Sequence, residues 1–265
     1  MSDNGGYAPT PQLAAGTTRT PDRYGDTARQ VGEWWVPSAS GLLPTVVLVH
    51  GGYWRPDYDL HLEDALAADL AGRGYLVWNI DYAPSSEPWP ATLVDAAAAY
   101  DHTFTGAHAD RVDRGRVAVV GHSAGGHLSL WLASRGKLPA GAPGAGSHIT
   151  PALAVPQAPV AALAKGSALG LGGGAVDALI GGSPKEFPER YAVADPLALV
   201  PSGVRTVLVH GVDDDVVPIS QSEDYLGATT DCTLVKVPGG HFTHLDPTSD
   251  ACAALRKALE MLRSA

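Results

Sequence analysis

The chain has 265 residues, of which 45% are apolar and 17% charged, and its formal net charge is -10 at pH 7. That balance excludes a disordered segment, and the absence of any basic block excludes nucleic acid as an expected partner. The length suits one large α/β domain with a sizeable core, and the acidic surface suits a cytoplasmic protein with a small-molecule substrate.

Residues 1–26 are rich in Gly, Pro, Thr and Asp and read as a loosely held N-terminal arm. They hold no apolar stretch of the kind a secretory signal needs. Residues 27–265 read as a single domain. "ARQVGEWWVP" predicts a strand closed by Pro37, with Trp34 and Trp35 on opposite faces. "TVVLVH" predicts a buried strand. In "LHLEDALAADLAGRG", Leu62, Leu66 and Leu70 recur at spacing four and predict one helix face, stopped by Gly72 and Gly74. "YLVWNIDY" is the next strand, and "PATLVDAAAAYDHTF" opens a helix on proline. "RVAVVGH" and "AGGHLSLWLAS" are a strand and a helix.

Residues 136–203 break this rhythm. They are loaded with Gly, Pro and Ala and read as an irregular insertion that caps a site, with one strand inside "PALAVPQAPVAAL". Regular alternation returns with "VRTVLVHG" as a strand, "PISQSEDYLGA" as a helix and "CTLVKVPG" as a strand. "ACAALRKALEMLRS" closes the chain as a helix, with Leu255, Leu259 and Leu262 on one face. Its cysteine and the one in the preceding strand, Cys252 and Cys232, fit no metal-ligand spacing and make no disulfide framework. No metal, no organic cofactor and a reducing compartment are expected. No apolar run approaches the ~18 residues that span a bilayer, so no membrane partner is expected either. A homodimer remains open. Strand and helix in alternation predict a mostly parallel sheet covered on both faces.

"VAVVGHSAGGHLSLWLAS" carries the first chemistry. Gly121, His122, Ser123, Ala124 and Gly125 spell G-x-S-x-G between a predicted strand and a predicted helix, the context this motif requires. A strand that turns into a helix within so few residues crowds the backbone around Ser123, and the flanking glycines relieve that crowding. Ser123 is then held out at the C-terminal edge of the sheet, where parallel α/β sheets bind ligands. His122 is read as a packing or hydrogen-bonding neighbour beside the pocket, not as the base.

A serine hydroxyl is a weak nucleophile and needs a positioned imidazole. In this arrangement the chain order is serine, acid, histidine. "TVLVHGVDDDVVP" offers Asp213, Asp214 and Asp215 at a strand end, and position alone does not choose among them. "TLVKVPGGHFTHLDP" offers His241 and His244. His241 follows two glycines that free the backbone to bring it close, and it is the expected base. The spacing of the two histidines lacks the carboxylate-bearing pattern of a zinc site. An attacked carbonyl also needs main-chain donors for its oxygen. Ala124 supplies one, and the bare backbone of "HGGYW" lets Gly52 and Tyr53 supply the other.

Together "HGGYW", "GHSAGGHL", "HGVDDDVVP" and "GGHFTHLDP" resemble the α/β-hydrolase superfamily, and within it the kynurenine formamidase (arylformamidase) branch of the esterase/lipase group. "GGSPKEFPERYAVADPLALVP" resembles the segment before the acid-bearing strand in those proteins. The resemblance covers roughly residues 27–262 and implies an α/β-hydrolase fold with Ser123 as nucleophile and His241 as general base. Placed three residues after Gly211, Asp214 is implied as the orienting acid. The implied reaction is hydrolysis of N-formyl-L-kynurenine to L-kynurenine and formate. The family often has an aspartate-leucine pair after its central strand, where this chain reads "VAAL" at residues 160–163. A carboxylesterase for small acyl esters would use the same triad and is the alternative; a binding protein that has lost turnover is the third reading. Gly51, Tyr53, Trp54, His122 and Phe242 are expected around the substrate, and Trp89 is expected to brace the loops.

Overall fold

Each of the short β-branched runs becomes a strand of one eight-stranded sheet. The structure, a computed structural model, describes residues 12–263. Its strands are β1 (Thr18–Arg23), β2 (Val31–Val36), β3 (Leu43–Val49), β4 (Leu76–Ile80), β5 (Val112–His122), β6 (Leu153–Gln157), β7 (Thr206–Gly211) and β8 (Cys232–Val237). They lie side by side in the order β1-β2-β4-β3-β5-β6-β7-β8. β2 pairs antiparallel with both β1 and β4, and every pair from β4 to β8 is parallel.

Parallel neighbours require crossovers, and here these are mostly helical. The helices are α1 (Asp64–Gly72), α2 (Ala91–His102), α3 (Ala124–Ala133), α4 (Leu163–Ala168), α5 (Leu171–Ile180), α6 (Pro188–Ala194), α7 (Ser220–Gly227) and α8 (Asp250–Leu259). Alternation along β3 sorts the core. Val46 and Leu48 pack with Leu66 and Leu70 of α1 and with Leu255 and Leu259 of α8. Val47 and Val49 pack on the opposite face with Leu93 of α2 and Leu128 and Trp131 of α3. Trp34 and Trp35 divide in the same way, as predicted, and Trp34 stacks on Trp78 of β4 at 4.7 Å.

Three local expectations need correction. Within the stretch read as a loose arm, Thr18–Arg23 is an edge strand of the sheet; residues 1–11 lie outside the described part. The strand "TRTPDR" has no apolar periodicity, and polar partners hold it. Arg19 pairs with Glu33 at 2.5 Å and lies over the Trp35 ring, while Asp22 accepts hydrogen bonds from the Trp34 indole and the Ala107 N–H. The second correction concerns Leu62, which sits half-buried in a separate turn of helix, Leu60–Glu63, that precedes α1. The third concerns the reading of residues 136–203 as irregular: the strand expected inside "PALAVPQAPVAAL" is β6, between β5 and β7, but α4 to α6 are ordered and contribute Leu163, Val176, Ile180 and Tyr191 to the same core as α3.

Both cysteines are buried and unpaired, and burial pushes their thiols up to about 12 for Cys232 and about 11 for Cys252. Among the described residues no helix is long and apolar enough to cross a membrane.

Glu63 is fully buried, and neither carboxylate oxygen has a hydrogen-bond partner in the protein. Burial, with the neighbouring Asp64 charge, pushes its carboxyl up from 4.5 to about 8. Between those pH values the folded chain binds a proton that the unfolded chain has released. Stability therefore falls as pH rises through this window, at most by about 1.4 kcal/mol per pH unit, and levels off above it. Glu63→Gln keeps the shape and removes the titration. Its thermal midpoint at pH 8 is expected to exceed that of the wild type by several degrees, and the two are expected to converge near pH 4.5. Parallel pH profiles for the two proteins would contradict this.

Candidate active site

The C-terminal ends of β5, β7 and β8 carry the three residues predicted to act together. Ser123 stands between β5 and α3 with φ 56° and ψ -116°, a sharp left-handed turn. The crowding predicted around it is severe. A side chain at Gly121 would come within 2.2 Å of the Gly125 carbonyl oxygen, and one at Gly125 within 2.0 Å of the Val49 carbonyl oxygen. The elbow is pinned by the Ser123 N–H, which donates to Gln157 O at 2.8 Å. Ala124 opens α3, so its N–H has no partner within the helix.

Asp214 resolves the choice among the three aspartates. Its carboxylate is fully buried, whereas Asp213 and Asp215 are exposed. Oδ1 accepts the Val216 and Val217 N–H groups at 2.9 and 2.8 Å, and Oδ2 lies 2.7 Å from His241 Nδ1. Burial alone would raise this carboxyl, but the hydrogen bonds from His210 and His241 and from the Val217 N–H carry it far below the usual carboxylate range. Asp214 is therefore held as an anion.

His241 opens a short turn of helix after β8 and is 3% exposed. His244 lies behind it, buried, with Nδ1 3.4 Å from the Gln157 side-chain amide; burial, then the neighbouring His210 and His241, pull it down to about 3. It has no contact with Asp214 of the kind His241 makes. His122 is buried as well. Its Nε2 donates to the His241 carbonyl at 2.9 Å, and its ring packs on His241 at 4.5 Å. Burial and the flanking imidazoles hold His122 well below the ordinary histidine value, so it is neutral. It ties the nucleophile turn to the loop of the base, as expected of a hydrogen-bonding neighbour.

The loop after β3 turns through three positive φ values in succession, at Gly52 (103°), Tyr53 (50°) and Trp54 (55°). A brace that sequence reasoning missed fixes its first peptide. His50 Nδ1 donates to the Gly51 carbonyl at 2.7 Å, and His50 Nε2 lies 3.1 Å from Asp81, which Arg29 also meets at 3.0 Å. Because the peptide is trans, holding the Gly51 carbonyl toward His50 turns the Gly52 N–H the opposite way. The signal for it is the histidine that opens "HGGYW".

The residues expected around the substrate separate by burial. Trp54 is fully buried, edge-on to His127 at 5.2 Å, so it braces the loop from beneath. Its indole belongs to the core that holds Val49 and Leu128, which corrects its assignment as a pocket wall. Gly51 lies against the elbow, where a side chain would meet the His122 carbonyl at 2.9 Å. Trp89 is half-buried against the core, as expected of a brace. Tyr53 is half-buried; its hydroxyl donates to Val216 O at 3.0 Å, and its ring lies against Gly172. Gly172, Gly173 and Gly174 all have positive φ, and Arg55 donates to the Gly172 carbonyl, so this glycine turn covers the loop. Phe242 is 66% exposed and edge-on to His241 at 5.3 Å.

Comparison with known proteins gives a consistent result. The family profile BD-FAE matches residues 35–228. Carboxylesterase NlhH of Mycobacterium tuberculosis is 35% identical over 117 residues, which cover 43% of this chain and 36% of that protein. Carboxylic ester hydrolase LipN of the same organism is 42% identical over 105 residues, 35% of this chain and 25% of that protein. The chain thus matches about a third or less of the length of these curated relatives. Among solved structures, a truncated carbohydrate esterase from gut microbiota superposes with a TM-score of 0.80 over 95% of this chain and 98% of that one, at 20% identity. Phosphonate-inhibited esterase B from Lactobacillus rhamnosis does so with a TM-score of 0.75 over 96% and 86%, at 22% identity. At these identities the likeness is one of fold, and the fold is that of the α/β-hydrolases.

Proposed function

The chain belongs to the BD-FAE family, an esterase family of the α/β-hydrolase fold, and on that footing we propose that it is a serine carboxylesterase acting on small acyl esters. The buried Asp214–His241 pair at 2.7 Å, on the same sheet edge as Ser123, is the observation that carries this reading. Asp214 holds His241 with Nδ1–H toward the carboxylate, which leaves Nε2 bare to take the Ser123 proton as Oγ attacks the ester carbonyl. The tetrahedral oxygen is received by the N–H groups of Ala124 and Gly52, with Tyr53 beside them. His241 then passes its proton to the leaving alkoxide. A water molecule, deprotonated by the same imidazole, releases the acid from the acyl-enzyme. None of these steps calls on a metal or an organic cofactor.

Esterases among the curated relatives support the ester over the formamide, so the carboxylesterase alternative replaces N-formyl-L-kynurenine as the leading substrate class. The formamide reading rests on the resemblance of "HGGYW" and the motifs that accompany it to the arylformamidase branch. A small acyl group fits a site in which Ser123 is only 2% exposed and the glycine turn lies on Tyr53. Turnover of p-nitrophenyl acetate, butyrate and octanoate and of N-formyl-L-kynurenine tests both points. The expected order of kcat/KM is acetate above octanoate, with the formamide slower than either short ester. Formamide turnover exceeding that of all three esters would overturn the proposal.

A further inference from the structure

The Asp214 oxygen that meets His241 carries a second imidazole. His210, near the end of β7 and fully buried, brings Nε2 to 3.3 Å from Asp214 Oδ2, the same atom that lies 2.7 Å from His241 Nδ1. The same His210 nitrogen lies 3.0 Å from the Val217 carbonyl oxygen. A carbonyl and a carboxylate only accept, so His210 Nε2 carries a hydrogen, which bonds to the Val217 carbonyl and faces Asp214 Oδ2 beside it. On the far side of the ring, Nδ1 lies 2.7 Å from the Ser222 hydroxyl of α7, which can donate to the bare nitrogen and fix this tautomer. A continuous chain thus runs from Ser222 through His210 and Asp214 to His241.

We propose, on the serine-hydrolase reading above, that His210 is a positioning residue: its N–H competes for Asp214 Oδ2 and so limits how tightly the acid holds a protonated His241. Lone-pair density directed at His210 is withheld from His241. The acid still orients the base but gains less when the base takes a proton, so the base is released for another turnover and activity extends to lower pH. His122 and His244 pack around His241, and Tyr53 bonds to the acid loop. Burial and neighbouring imidazoles keep both histidines neutral, and burial with the nearby Asp214 keeps the Tyr53 phenol protonated. Asp213 and Asp215 flank the acid from the exposed side, and Asp213 accepts the Gly239 N–H.

His210→Phe removes the donor and keeps a ring. On p-nitrophenyl acetate, the acid limb of its kcat/KM profile is expected about half to one pH unit above that of the wild type, the size of one hydrogen bond. His210→Gln returns an N–H and is expected to bring the limb back toward the wild-type position. The low-field proton resonance of the His241–Asp214 hydrogen bond needs no turnover; it is expected to move further downfield in His210→Phe as that bond tightens. Ser222→Ala keeps the ring but removes the bond to Nδ1 that holds it in place beside Asp214, and is expected to move both readouts the same way by a smaller step. It decides the matter alone if His210→Phe does not fold. Unmoved readouts in whichever of the two variants folds overturn the proposal. A wild type without esterase turnover would sink the assigned reaction but not this hydrogen-bond arrangement, which the resonance reports by itself.

Discussion

Ser123→Ala is expected to lower kcat on p-nitrophenyl acetate by about 10⁶-fold, with KM within a few-fold of the wild type. The substitution removes one oxygen and nothing else. Alanine keeps the Cβ that the elbow already accommodates, and the glycines at 121 and 125 still relieve the same crowding. The main-chain donors at Gly52 and Ala124 and the buried Asp214–His241 pair remain in place. Only the acyl-enzyme route is lost, and the remaining rate is that of water attacking an ester bound near preorganised donors, about 10³–10⁴ over solution. An alanine variant that kept more than about a tenth of the wild-type kcat would place the nucleophile elsewhere, because loss of a nucleophile cannot be that mild.

Asp214→Asn is expected to lower kcat by about 10⁴-fold. The hydrogen bonds explain why an isosteric change is so damaging. Oδ1 accepts two main-chain N–H groups, from Val216 and Val217. An asparagine must place its carbonyl oxygen there, which puts its NH₂ where Oδ2 meets His241 and His210. Donor then faces donor. His241 is forced to bare Nδ1 and carry its hydrogen on Nε2, the wrong nitrogen for taking the serine proton. His210 is left with a buried conflict that weakens the fold as well. The exposed neighbours have no such role, so Asp213→Asn and Asp215→Asn are expected to stay within about threefold of the wild type, as surface changes usually do. Comparable losses in all three variants would mean that the acid is misassigned.

Much of this was legible in the sequence because it was written in periodicity and in short-range crowding. The β-branched runs at residues 46–49 and 206–209 could only be buried strands, and Leu255, Leu259 and Leu262 are buried together, the first two on α8 and Leu262 in the helical turn that follows it. The nucleophile was equally legible, since glycines two residues before and two after a serine have a steric meaning that the 2.0 and 2.2 Å approaches make concrete. Among three adjacent aspartates, local sequence gave no preference. The choice depends on which carboxylate the turn buries against the Val216 and Val217 N–H groups, a matter of three-dimensional geometry.

Other features were illegible for the same reason. β1 has no apolar pattern and is fixed by Arg19 and Asp22 reaching groups on β2 and beyond. Aromatic rings after bare glycines suggest a pocket wall, but the Trp54 indole is fully buried in the core. His50 and His210 stand inside "HGGYW" and "HGVDDDVVP", and their partners Asp81 and Ser222 lie 31 and 12 residues along the chain. A main-chain oxyanion site of the kind proposed for the "HGGYW" loop serves an ester and a formamide alike, so that loop does not choose between them.

Covalent capture tests the central claim most directly. An alkyl p-nitrophenyl phosphonate is attacked by an activated serine and stays bound, and peptide mass spectrometry then locates the adduct. One adduct per chain on Ser123 is expected in the wild type at the rate at which esterase activity disappears, with sharply slower labelling in Asp214→Asn and none in Ser123→Ala. An adduct on another residue that tracks the loss of activity, or complete inactivation with Ser123 unmodified, would contradict it.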